Sequence, residues 1–253
     1  MGTLKVLIFD VDGTLADTEY HHLAAFNAAF TEMGLDWYWS VSEYVQLLKI
    51  TGSAERMRHY IDRHHAHFRR RDDFEEFVAR LQALKNRHYR EQVYRGDIQP
   101  RSGVVRLLRE ARTEGLRLAI ASTAAPENIA VLLEGAIGPS TIDWFDLVAA
   151  GQVVPKKKPA PDIYRWLLAR LALAPEECIA FEDSANGLRA ATAVGIQTVV
   201  TVNEFTKGEN FQGAAVVLDS LGEPESPFRV IAGDVGDAKM VDIAFLRWLH
   251  ARE

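Results

Sequence analysis

The feature that most constrains this chain is a strand set far from the sheet it must join. Residues 4–9 form a short apolar run that Asp10 and Asp12 cut off. A run that is apolar on both faces and ended by carboxylates reads as a buried strand with functional groups at its C-terminal end. No further clear strand is expected before about residue 116. In between, Leu23, Phe26, Phe30 and Met33 recur at helix spacing, as do Phe74, Phe77, Val78, Leu81 and Leu84. Beyond Arg95-Gly96-Asp97 and Pro100, helices alternate with apolar runs at 118–121, 178–181 and 198–202, the order of a parallel sheet. The first strand can belong to that sheet only if the helical block is an insertion. The fold class is therefore α/β, with a core from 1–16 and 96–253 and a helical cap inserted over 17–95.

Local signals add detail. Ser102 is expected to cap a helix ending near Gly115, and Ser184 one ending near Gly195. Residues 205–237, rich in Gly, Pro and acidic side chains, are expected to form long surface connections before a last amphipathic helix at about 241–249.

Charge and cysteine usage exclude several partners. With a formal net charge of −6 the chain has no overall basic surface for a nucleic-acid backbone, so an anionic ligand must be met by a local positive site. The single cysteine, Cys178, lies in an apolar stretch and reads as a buried structural thiol. The run at 4–9 is too short for a signal peptide or a membrane span. Gly2 could suggest myristoylation, but Val6 stands where that signal wants Ser or Thr. A cytoplasmic monomer that engages neither nucleic acid nor membrane is expected.

Four separated clusters carry chemistry. In Asp10-Val11-Asp12-Gly13-Thr14 a strand delivers two carboxylates, and Gly13 lets the backbone turn away. Asp-x-Asp-Gly also opens calcium loops, and Glu19 stands at the required distance. Thr14 and the preceding strand, however, speak against an EF-hand. Ser122 and Thr123 form a hydroxyl pair between a strand and a helix that Pro126 can start, a natural phosphate seat or an ordinary cap. Lys156, Lys157 and Lys158 precede Pro159; alone they read as a solvated loop. Glu182 and Asp183 again end an apolar strand, as a helix cap or a metal site.

In this order and spacing the four clusters resemble the haloacid dehalogenase superfamily: Asp-x-Asp-Gly-Thr, a strand-end Ser or Thr, a Lys before Pro, and a strand-end acidic pair. The likeness spans nearly the whole chain. It implies a Rossmann-like parallel-sheet core with an inserted helical cap domain, and a Mg²⁺-dependent phosphatase of a small phosphorylated sugar. Asp10 matches the nucleophile that attacks phosphorus. Asp12 matches the acid–base residue that serves the leaving oxygen and then water. Ser122 and Lys158 would hold and neutralise the phosphoryl oxygens, with Thr123 beside them, while Lys156 and Lys157 face solvent. Mg²⁺ would be held by Asp10, the Asp12 main-chain carbonyl and Asp183, with Glu182 near or in the same shell.

Within the superfamily, Asp17-Thr18-Glu19-Tyr20-His21-His22 resembles the β-phosphoglucomutase-like branch. That register brings Glu19 and His22 to the substrate. The stretch from Leu48 to Met57 and the Gly/Pro-rich segment near the C-terminus look like the CbbY-type proteins of autotrophs, whose substrate is the Rubisco-inhibiting sugar xylulose-1,5-bisphosphate. There Lys49 and Arg56, around Thr51 and Gly52, would grip a second phosphate. A phosphosugar mutase would use the same Asp10 and Asp12 but return the phosphoryl group to sugar, and no residue decides between the two. A non-catalytic phosphosugar-binding module would be expected to have lost one cluster. His64, His65 and His67, next to Arg69, Arg70 and Arg71, read as a solvated cationic face rather than a zinc site.

Overall fold

The computed structural model describes residues 3–151 and 153–252; Gly2 lies outside them. The chain opens with β1 (Val6–Phe9) and passes into four helices, α1 (Glu19–Glu32), α2 (Val41–Leu47), α3 (Ser53–His64) and α4 (Phe74–Tyr94). It then alternates through α5 (Val104–Thr113), β2 (Arg117–Ala121), α6 (Pro126–Ala136), β3 (Leu147–Ala149), α7 (Asp162–Leu171), β4 (Cys178–Glu182), α8 (Ala185–Thr192) and β5 (Gln197–Thr201). Two short strands, β6 (Val216–Leu218) and β7 (Val230–Gly233), precede α9 (Ile243–His250).

The strands form one seven-stranded sheet in the order β3-β2-β1-β4-β5-β6-β7. Every neighbouring pair is parallel except β6 and β7. β1 is central, and its apolar character on both faces follows from that position. Leu7 and Phe9 enter the core under α5 and α9, whereas Val6 and Ile8 enter the core under α7 and α8. Phe9 stacks on Phe181 of β4 with ring centroids 4.5 Å apart. The chain leaves β1 toward β2 and β3 on one side and returns to β4 and β5 on the other. Beyond the carboxyl ends of β1 and β4 it therefore opens a crevice, where open α/β sheets place their ligands.

The four inserted helices carry a core of their own, built around Phe26, Phe30, Trp39, Tyr44, Met57, Ile61 and Leu81. Asn27 fixes the loop after α1: its amide donates to Trp39 O (2.9 Å) and accepts from Trp39 N (2.8 Å). That holds the indole 4.5 Å from the Phe26 ring. The two crossings between insert and sheet run side by side, with Ala16 bridged to Pro100 and Arg101 N donating to Leu15 O at 2.9 Å. α4 serves both regions. Phe77, Val78 and Leu81 enter the insert's core, while Tyr89 and Val93 enter the sheet's.

Ser184 caps α8, accepting from Gly187 N at 3.2 Å, and the turn after that helix closes at Gly195 with φ +81°. Cys178 is a buried free thiol, which burial pushes up to about 12. Two local expectations are corrected. Ser102 does not cap α5: Gly103 holds that position with φ +84°, and its N–H donates to Glu223 Oε1 at 2.9 Å. Residues 205–237 are more than surface connection, because they contain β6 and β7. β6 has only three residues and β7 is exposed throughout, so neither produces the patterned run that marks a strand in sequence. The three-residue β3 is hidden for the same reason.

Candidate active site

Three strand ends meet at one ammonium. Lys158 Nζ donates to Asp10 Oδ1 after β1 (2.7 Å) and to Ala121 O at the end of β2 (2.7 Å), and pairs with Glu182 Oε1 at the end of β4 (2.6 Å). Its side chain is 5% exposed. Despite burial, Asp10 and Glu182 hold the ammonium well above the ordinary lysine range. Ser122 is buried beside them and its hydroxyl accepts from Ala124 N at 3.1 Å; Thr123 follows before the Pro126 start of α6.

Asp10, Glu182 and Asp183 present oxygens that all lie within 4.8 Å of one another. Burial, with the neighbouring Glu182 charge, pushes the Asp10 carboxyl up to about 7. Burial, with the Asp10 and Glu182 charges, also raises Asp183 well above the carboxylate range. Three buried carboxyls facing a single ammonium are under-compensated, and a hard divalent cation with oxygen preference suits such a donor set. Two further observations agree with a cation here. Glu182 Oε2 is buried without a hydrogen-bond partner among the described residues. The carboxyls also press against bare backbone: at Gly13 (φ +81°) a Cβ would collide with Asp183, and at Gly187 with Glu182.

Asp12 lies in a different setting. Its Oδ1 meets Thr18 Oγ1 at 2.8 Å and His22 Nε2 at 2.8 Å. His22 Nδ1 lies 2.9 Å from the ammonium of Lys85. An ammonium only donates, so Nδ1 accepts, and the ring hydrogen on Nε2 is given to Asp12. Burial works against ionisation of Asp12, yet His22, Thr18 and the more distant Lys85 outweigh it and hold the carboxyl at about 2. Burial, aided by the Arg56 charge, drives Lys85 down to about 8 although Asp12 opposes this.

A cavity of about 360 Å³ lies between sheet and insert, in the size range of small-molecule sites. Asp10, Asp12, Ser122, Thr123, Lys158 and Asp183 line it from the sheet; Glu19, His22, Thr51, Gly52 and Arg56 line it from the insert. Arg56 is buried and braced, donating to Leu47 O at 3.1 Å and to the Tyr44 hydroxyl at 3.2 Å, while that hydroxyl donates to Glu19 at 2.7 Å. Glu182 sits behind the wall, taken up by Lys158 and by the Tyr164 hydroxyl.

Two residues do not stand where the sequence suggests. Lys49 is absent from the described lining: it is exposed and donates to Gln46 at 2.7 Å, because the chain after α2 turns its side chain outward. Lys157, expected in solvent, instead lines the cavity and pairs with Glu55 at 2.8 Å. Lys85 was missed altogether, although a signal existed. It occupies the buried line Val78, Leu81, Lys85, Tyr89, Val93 of α4, and a lysine on an apolar stripe calls for a partner. Thr18, Tyr164 and Asn203, whose amide donates to Asp183 at 2.7 Å, carry no comparable mark.

Known proteins match along nearly the full length. The haloacid dehalogenase-like hydrolase family matches residues 4–195. The chain is 45% identical over 251 residues to the plasmid CbbY of Cupriavidus necator, covering 98% of this chain and 97% of that protein. It is 40% identical over 220 residues to CbbY of Cereibacter sphaeroides, covering 87% and 94%. Among solved structures, a mutant CbbY from Rhodobacter sphaeroides in complex with xylulose-(1,5)bisphosphate superposes with a TM-score of 0.79 at 37% identity, covering 86% and 95%. A β-phosphoglucomutase from Clostridium difficile shares the fold, with a TM-score of 0.71 at 23% identity over 86% and 92%.

Proposed function

Given that the chain belongs to the haloacid dehalogenase-like hydrolases, we propose that it is a Mg²⁺-dependent phosphatase of a small sugar phosphate, with a bisphosphate such as xylulose-1,5-bisphosphate as substrate. The observation that carries this reading is the meeting of Asp10, Ser122 and Lys158 on the wall of one cavity between sheet and insert. It sets a carboxylate nucleophile beside a fixed cation and a hydroxyl, as phosphoryl transfer demands. The CbbY complex with xylulose-(1,5)bisphosphate supports the choice of sugar.

Asp10 attacks phosphorus and carries the aspartyl-phosphate while the sugar oxygen departs. Lys158 and Ser122, with Thr123, orient and neutralise the phosphoryl oxygens. Asp12 is set up as the proton carrier: a proton taken up with the bound substrate goes to the leaving sugar oxygen in the first half, and the carboxylate so left, held by the His22 N–H, takes a proton from the attacking water in the hydrolytic half. Asp10, Asp183 and the Asp12 carbonyl would hold Mg²⁺, with Glu182 near or in the same shell, and the ion would supply positive charge to offset that of the phosphoryl group. Glu19, His22, Thr51, Gly52 and Arg56 face the sugar. We place the domain boundaries at 1–16 with 96–253, and 17–95, because the two crossings lie together at Ala16 and Pro100. We also propose a cytoplasmic monomer; among the described residues no helix is long and apolar enough to cross a membrane.

The test is release of inorganic phosphate from a panel of sugar mono- and bisphosphates with Mg²⁺. Fastest release from a pentulose bisphosphate is expected. Return of the phosphoryl group to sugar, or no release from any member, overturns the reading.

A further inference from the structure

Lys157 has no part in the chemistry above, yet it is built into the cavity. It directly precedes Lys158, but where Lys158 runs inward to Asp10, Lys157 crosses to the insert and lies 2.8 Å from both carboxylate oxygens of Glu55 on α3. Its side chain is 18% exposed, against 41% for Glu55. Lys157, Gly52 and Arg56 line the cavity, whereas Glu55 is absent from the described lining. Gly52 makes the crossing possible: with φ +99°, a Cβ there would meet the Lys157 ammonium at 2.5 Å and collide with the Glu55 carboxylate. A second contact spans the same opening, from Asn186 Nδ2 to Thr51 Oγ1 at 3.1 Å.

The other cations of the cavity are held in place by buried partners. Lys158 is held by Asp10 and Glu182, Lys85 by His22, and Arg56 by Tyr44 and Leu47. Lys157 alone among them is held by one partly exposed carboxylate, which regains water if released. A pair with one half open to water is a weaker tie than a fully buried one. A phosphate dianion inside the cavity offers the same ammonium a stronger, charge-assisted partner.

We infer that Lys157 is a specificity-determining residue that changes partners: tied to Glu55 across the mouth when no substrate is present, it transfers to the second phosphate of a bisphosphate when one binds. This rests on the phosphosugar reading above. The exchange gives a bisphosphate an ionic partner inside the cavity and leaves a monophosphate with nothing to displace Glu55.

The experiment measures binding by calorimetry in an Asp10→Asn background, which holds ligand without turning it over, using a pentulose 1,5-bisphosphate and the matching monophosphates. Lys157→Gln should weaken the bisphosphate about tenfold, the size of one charge-assisted hydrogen bond, and leave the monophosphates within about twofold. Glu55→Gln removes the competing carboxylate and should tighten the bisphosphate. Equal weakening of both ligands by Lys157→Gln, or none, overturns the proposal. So does loss of bisphosphate affinity on Glu55→Gln, which would make the pair a fixed brace. If the parent binds neither ligand and the intact enzyme releases no phosphate, the phosphosugar reading itself has failed, and the role of Lys157 falls with it.

Discussion

Asp10 and Asp12 stand on one turn, yet they belong to two electrostatic regions. On the sheet side, Asp10 faces Glu182 and Asp183 and is pushed up to about 7, with Lys158 as its paired cation. On the insert side, Asp12 meets only donors, Thr18, His22 and behind them Lys85, and is held at about 2. The sheet thus gathers like charges that await a cation, and the insert brings compensation already in place. Under the proposed function, this difference would separate the group that bonds to phosphorus from the group that moves protons, without changing residue type. It also says which region each perturbation should disturb.

The largest break is on the sheet side. Asp10→Asn should remove turnover by at least about 10⁴-fold, together with any hydroxylamine-labile covalent phosphate on the protein. The variant should stay folded, because deleting one of three crowded carboxylates relieves repulsion. Comparable turnover in a folded variant would dissolve the distinction between the two aspartates.

Lys85→Met probes the insert side at similar side-chain volume. It leaves His22 Nδ1 without its donor, so the imidazole is no longer fixed as the hydrogen-bond source for Asp12. A loss of kcat of about tenfold to a hundredfold is expected, with little change in KM. The sign of its stability effect can be worked out. The folded pKa, about 8, lies below the ordinary lysine value of 10.5. As pH falls from 10.5, the unfolded lysine takes up its proton first, so the wild type loses stability down to about 8, and gains it again as pH rises. Denaturant midpoints across this window should show that slope in the wild type and not in Lys85→Met. A slope that persists would place the titrating group elsewhere.

The metal should report on the other side of the comparison. Burial pushes Asp10 up to about 7, so below that pH Mg²⁺ must displace a proton there, and with Asp183 also raised its affinity should fall by at least about tenfold per pH unit. Calorimetry in two buffers of different ionisation enthalpy measures the released proton. The same shift sets a sign for the metal-free fold. The unfolded carboxyl ionises near 3.8 and the folded one near 7, so stability falls as pH rises between them. Asp12 does the reverse, adding stability above 3.8 that is lost as pH falls toward 2. Mg²⁺ affinity independent of pH between 5 and 7 would remove Asp10 from the ligand set.

The two regions were also unequally legible in sequence. On the sheet side, chemistry sits at the ends of fully buried strands. An apolar run broken by a carboxylate or hydroxyl marks the place, as Phe9-Asp10, Ala121-Ser122 and Phe181-Glu182 show. The insert writes its site differently. His22 and Lys85 lie 63 residues apart, on α1 and α4, and touch only because those helices pack on one another. Nothing local records that contact except a lysine on a buried stripe. The three-residue strands β3 and β6 escaped for want of length and β7, as long as β1, for its exposure; Gly103 displaced Ser102 as the cap because Leu221 and Gly222 pack too close for a Cβ. Lys157 and Lys49 misled for a common reason. Whether a loop lysine reaches a cavity depends on which way the loop turns, and a glycine such as Gly52 decides that only in three dimensions.

Lys49→Ala is the smallest expected effect, and it sharpens the comparison by marking where the insert's influence ends. A lysine beside Thr51-Gly52 invites a phosphate-binding role, and removal of such a contact would cost a bisphosphate about 1.5–3 kcal/mol. The structure argues otherwise. The ammonium is exposed and bonds Gln46 at 2.7 Å along its own helix end. Its main-chain carbonyl, which receives Asn186 Nδ2 at 3.4 Å, is unchanged by truncating the side chain. What remains is a long-range field, and an exposed charge is largely screened beyond about 10 Å at ordinary ionic strength. kcat/KM for a bisphosphate and its monophosphate should therefore both stay within about twofold of wild type, and raising salt should erase even that. A selective loss on the bisphosphate would mean that the loop from Leu48 to Gly52 refolds around substrate and carries Lys49 into the cavity. The insert would then supply binding charge on demand, as well as the standing compensation that Asp12 receives from His22.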